Sequence, residues 1–176
     1  MFKWFAITFI FLILAFIVPF FSFGKSYDQV CLDAARMYGI NEGDYEIHFS
    51  FGKVLNASGE SVNGTFNVSL DGEAHGVYVI QVQKSEFSRS MTVATIFHEF
   101  AHAAQHKYNL DLYGNTVEQD AELLAFNTMW RSGYWWDAVH MLWMHSFHFK
   151  PSNYLAAKKL WYTALTGIQT VPILEY

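Results

Sequence analysis

The spacing of apolar and polar positions divides the chain into segments of different period. Trp4 to Phe23 has no charged residue, and only Thr8, Pro19 and Ser22 break the apolar run. Residues 26–39 then read as a helix: Ser26 is placed to cap it, Val30, Ala34, Met37 and Tyr38 form its apolar stripe, and Gly39 stops it. From Tyr45 to Leu55 the pattern alternates with period two, as in a half-buried strand. A polar loop follows from Asn56 to Gly64. Alternation returns over Thr65 to Leu70 and, after an Asp71-Gly72 turn, over Gly76 to Gln83. Short connections favour neighbouring antiparallel strands, so these segments predict a three-stranded antiparallel sheet behind one helix.

From Ser90 the period lengthens to 3.6. One helix is predicted to about Lys107, and a second from a capping box at Thr116-Val117-Glu118-Gln119 to Arg131, before Gly133. The remainder, through Gly167, reads as helical and strongly aromatic, and core packing is its expected role. A second membrane span there would carry Asp137 and three histidines, which is too polar.

Composition narrows the function classes. Charged residues are 15% of the chain and apolar residues 52%, so this is not a disordered tail. The net charge is −5 and no basic block occurs, so nucleic acid is not an expected partner. Cys31 is the one cysteine, which excludes an intramolecular disulfide. Three N-x-S/T sequons, at Asn56, Asn63 and Asn67, fall in the loop-and-strand region and read as polar hairpin residues.

The run from Trp4 to Phe23 is flanked by Lys3 and Lys25 and is long enough to span the roughly 30 Å of a bilayer core. It exceeds the short apolar region of a cleaved signal peptide and ends without a small-residue cleavage pattern. It is read as a single-span anchor over residues 1–25, with a removed signal peptide (a secreted protein) and a buried core helix as the alternatives. The positive-inside rule leans towards an extracytoplasmic main domain, residues 26–176.

The chemistry lies in the first of the later helices, at His98-Glu99-Phe100-Ala101-His102. Histidines four apart sit about 40° apart around a helix, so both rings can reach one metal ion. Glu99 points about 100° away, where it can touch a water on that metal without ligating it. Composition alone yields H-E-x-x-H roughly 0.02 times in such a chain. Val93, Ile96, Phe97, Phe100, Ala103 and Ala104 share a separate arc of the helix, so the core side and the histidine side are distinct. A third ligand is needed. The metzincin position six residues after His102 holds Tyr108, and His106 lies about 12 Å along the axis from His98. Glu118 and Glu122 instead share an otherwise small, apolar stripe of the next helix. Buried carboxylates are costly without a cation or strong hydrogen bonds. A zinc ion ligated by Glu118, with Glu122 bonding a ligand histidine, accounts for both.

HEFAHAAQH followed by EQDAELLAF resembles the gluzincin metallopeptidases, and more narrowly the small single-domain ones, in which HExxH precedes a helix carrying E-x-x-A-D or a close variant. The resemblance covers roughly residues 76–130. It implies one zinc ion held by His98, His102 and Glu118, Glu99 as general base, and Glu122 as the carboxylate that orients a histidine. This chain has Glu122 where Asp is commoner. Glu122 also stands at the spacing from His102 that thermolysin-like gluzincins use for the ligand, so it is the alternative ligand.

The expectation is therefore an α+β, zincin-like domain: a small antiparallel sheet packed on an HExxH helix and a glutamate helix, preceded by a transmembrane helix. Its activity would be zinc-dependent peptide hydrolysis, its partners a peptide or protein substrate and a membrane. A substrate strand is expected to add to the edge formed by Val77–Val82. His140, His145, Tyr108 and Tyr113 are equal candidates for stabilising the oxyanion. Two rivals are a zincin-like binding or regulatory module without turnover, and a tethered interaction protein whose HExxH is accidental.

Overall fold

A computed structural model describes residues 25–69, 77–85, 88–109 and 117–148. Its elements are helix α1 (Tyr27–Met37), a 3-10 turn (Glu42–Asp44), strands β1 (Tyr45–Ser50), β2 (Val54–Leu55), β3 (Ser61–Val62), β4 (Gly64–Ser69) and β5 (Val77–Gln83), and helices α2 (Arg89–Tyr108), α3 (Val117–Arg131) and α4 (Trp135–His148). Among the described residues the fold is mixed α+β, with a small sheet and four helices.

Helix α1 starts where Ser26 accepts the Gln29 N–H on its hydroxyl, and Gly39 follows its end at φ 62°. Val30, Ala34 and Tyr38 are buried as their spacing predicts, but Met37 is 42% exposed and leaves the stripe. The α2 core arc matches its expectation. Val93, Ile96, Phe97, Phe100, Ala103 and Ala104 are all fully buried, and Ser88 caps the helix by accepting the Met91 N–H. Asn109 ends α2 in the left-handed conformation that asparagine tolerates better than most residues.

The sheet departs from expectation. Its order is β1-β5-β4, with β5 parallel to β1 and antiparallel to β4. The sheet is thus mixed, not antiparallel, and β5 is its central strand, not an edge. Strand composition gives the reason. A central strand is hidden on both sides, and Val77, Tyr78, Val79, Ile80 and Val82 make β5 the most apolar of the three. Glu46, His48, Asn67 and Ser69 put polar side chains on β1 and β4, which suit edges. The polar loop is also more ordered than predicted. β3 within it pairs with β2, the end of the predicted Tyr45–Leu55 strand, as a separate hairpin, and Asn56 organises the turn by accepting N–H groups from Ser58 (3.1 Å) and Glu60 (2.9 Å).

Period two decides which face meets the helices. Tyr45, Ile47 and Phe49 pair across to Tyr78, Ile80 and Val82, and these to Val68, Phe66 and Gly64. All but Gly64 join the core beneath α1 and α2, and Tyr45 meets Phe100 edge-on at 4.9 Å between centroids. At the start of the described chain, Lys25 bonds Asp33 (2.6 Å) and lies 4.8 Å over the Tyr134 ring, while Arg89 donates to the Lys25 carbonyl (2.6 Å). Among the described residues no helix is long and apolar enough to cross a membrane. The run 4–23, the Asp71-Gly72 turn, Thr116 and the chain beyond His148 lie outside the described residues.

Candidate metal centre

Helix α2 carries His98 and His102 one turn apart on the side away from its core arc, and the first turn of α3 carries Glu118 opposite them. His98 Nε2 lies 3.2 Å from Glu118 Oε2, His102 Nε2 lies 3.4 Å from the same oxygen, and the two Nε2 atoms are 3.1 Å apart. The rings stand nearly perpendicular, at 88°. These three atoms form a group able to hold one metal ion. A tetrahedral ion with bonds of about 2.0 Å separates its ligands by about 3.3 Å, so the triangle fits such an ion.

Charge and burial act differently on each member. Burial holds the His98 pKa below its ordinary value, against the hydrogen bond that His98 donates to Glu118. At His102 burial also opposes the proton, but the hydrogen bond and charge of Glu118 outweigh it and the pKa rises. Hydrogen bonds from His102 and His98 hold Glu118 well below the usual carboxylate range, although its side chain is 73% exposed. Glu118 is thus the anionic member of the group, on its open side.

Glu99 is 4% exposed, and burial pushes its pKa up to about 7. A carboxyl that titrates near neutrality can take and return a proton there. The start of β4 walls it in. Gly64 lies so close that a methyl built on it would sit 2.5 Å from Glu99 Oε1. Glu122 lines the same cleft, and burial, then the charge of Glu118, raise its pKa to about 7 as well. Of Glu118 and Glu122, it is Glu118 that meets both imidazoles.

These groups open on a cleft of about 1230 Å³. Its walls are β4 with the β2–β3 hairpin on one side and Met91, Thr95, His140 and Met141 on the other. His140 is the oxyanion candidate found in the cleft. Tyr108 is not there, because its hydroxyl donates to the carbonyls of Tyr38 (3.2 Å) and Gly39 (3.3 Å). Tyr113 lies outside the described residues, and the description of His145 stops at its place in α4. His106 packs on Phe66 and Tyr78 at 6.2 and 5.8 Å between centroids, at the rim and away from the ligand group.

Compared with family models, with curated proteins and with solved structures, the chain matches none. The chemistry of the site therefore rests on its own geometry.

Two contributors were not read from the sequence. Gly64 is the close approach that encloses Glu99, and its only signal is a glycine at an inward position of an alternating strand. Gln105 bonds His102 Nδ1 through its amide oxygen at 2.9 Å. Its signal was the three-residue spacing from His102, which puts the two on one helix face.

Proposed function

We propose that the protein is a zinc-dependent peptidase of gluzincin type, anchored to a membrane by residues 4–23. One observation carries the reading: two Nε2 atoms and one carboxylate oxygen converge within 3.4 Å of one another, with a buried carboxyl next in sequence to His98 in the same cleft. Two imidazoles and a carboxylate are the donor set of catalytic zinc sites that keep a fourth position open. His98, His102 and Glu118 would hold the ion. When bound, zinc supplies Lewis acidity, lowering the pKa of water and polarising a carbonyl.

The chain's own residues do the remainder. Glu99 is the proton carrier. Its carboxylate takes a proton from the attacking water, and the same oxygen returns it to the departing amine. The raised Glu99 pKa suits both halves of that exchange near neutral pH. Gly64 packs against the carboxylate at the cleft wall. With β5 central, an extended substrate adds to the outer edge of β4, where residues 63–67 line the cleft. His140, which also lines the cleft, is the candidate for stabilising a developing oxyanion.

The test is the zinc content of the purified full-length chain, measured together with its cleavage of an unbiased peptide library before and after chelation. Stoichiometric zinc with chelator-sensitive cleavage is expected. Zinc without cleavage would leave a silent binding module, and absence of zinc would end the metallopeptidase reading.

A further inference from the structure

We infer that Gln105 fixes which nitrogen of His102 is free to bind metal and, through the same amide, sets the distance between α2 and the start of α3. The inference rests on the metal-site reading and adds a positioning residue to it. Gln105 is 8% exposed and lies between the two helices. Its Nε2 donates to the carbonyl of Val117 at 3.0 Å. A carbonyl can only accept, so the NH2 end of the amide must face Val117. The amide oxygen then faces His102 Nδ1, at 2.9 Å. That oxygen also can only accept, so Nδ1 carries the ring proton. In the cationic ring both nitrogens carry protons and Nε2 donates to Glu118; once the ring is neutral, with its remaining proton held on Nδ1, the lone pair is on Nε2. This is the atom that points at His98 Nε2 and Glu118 Oε2.

Val117 directly precedes Glu118, so the second end of the amide acts on the other helix. One side chain thereby selects the tautomer of one ligand and spaces the backbone that presents another. Of the side chains of this length, only glutamine meets both demands. A glutamate accepts from Nδ1 but has no N–H for the Val117 carbonyl. It would also add a negative charge to a pair of helices that already carries Glu99, Glu118 and Glu122. An amide orients the ring without adding charge.

The test uses the metal-free full-length chain with 15N-labelled histidine, above the histidine titration range, and reads the imidazole nitrogen shifts. In the parent, His102 is expected as the Nδ1–H tautomer. Gln105→Leu keeps the volume and removes both polar ends, and its His102 should revert to mainly Nε2–H. Its zinc affinity, read by chelator competition, should fall about 10- to 100-fold. Gln105→Glu should keep the Nδ1–H tautomer, which a merely space-filling role would not require. A parent His102 protonated on Nε2 overturns the inference without any variant. So does a folded Gln105→Leu variant with the parent's tautomer and zinc affinity. A parent that takes up no zinc but shows Nδ1–H would sink the metal reading alone, since the tautomer is read without metal.

Discussion

The α-carbon of Gly64 lies against the carboxylate of Glu99: a methyl added there would stand 2.5 Å from Oε1 and 2.7 Å from Thr95 Cγ2. Gly64 pairs with Val82, so it occupies an inward position of β4, directly under α2. Any larger residue pushes either the strand or the carboxylate away.

Gly64→Ala is therefore expected to lower peptide hydrolysis by about 100-fold, the usual cost of misplacing a reacting group by about 1 Å. Zinc content should stay at the parent level, because the three atoms nearest the new methyl belong to Glu99 and Thr95. Parent-level turnover in a folded Gly64→Ala protein would show that this contact does not position Glu99.

Glu99→Gln removes the proton carrier and leaves the three ligands in place. Hydrolysis should drop by about 10²- to 10⁴-fold with zinc still bound. Turnover and metal content measured on one preparation decide it, and near-parent turnover would refute the base assignment.

Glu118→Ala should weaken zinc retention more than Glu122→Ala does, because Glu118 Oε2 lies 3.2 and 3.4 Å from the two Nε2 atoms. For a carboxylate that only orients a ligand, a loss of about 10- to 100-fold is typical. Chelator competition on both variants gives the ranking, and the reverse order would make Glu122 the ligand.

The metal-free protein should show a pH signature of Glu99. Burial raises its pKa from the ordinary 4.5 to about 7 in the folded state. Between those values the folded chain holds a proton that the unfolded chain has released, so this group's contribution to stability falls as pH rises. Glu99→Gln cannot titrate. The stability difference should therefore move in the variant's favour across that window, by at most about 1.4 kcal/mol per pH unit, and level off above it. Urea unfolding of both proteins measures this, and a difference that does not vary with pH would contradict the buried carboxyl.

Helices were more legible in the sequence than strand pairing, for a physical reason. A helix is closed by bonds four residues apart, so the α2 arc from Val93 to Ala104 could be read from spacing alone. Alternation correctly placed Ile47, Phe66 and Ile80 on one face. It carries no information about which strand is the neighbour, and the assumption that short connections join neighbours put β1 beside β4. In the fold β5 comes between them, which exchanges the predicted edge for a centre. The candidate metal group was legible because His98, His102 and Glu118 belong to helical periods. Gly64 and Gln105 were not, since Gly64 acts through Glu99, 35 residues on, and Gln105 reaches across to the next helix at Val117.

The grip on Lys25 sets how far the cleft can travel. The ammonium is held by Asp33 and the Tyr134 ring, and its carbonyl by Arg89, all on the folded body. With residues 4–23 as the anchor we propose, only Gly24 separates that anchor from the clamp, a tether of no more than about 4 Å per residue. Such a domain cannot roam on a stalk. It would work at a fixed height above the lipid, on chains that present their cleavable segments close to the bilayer.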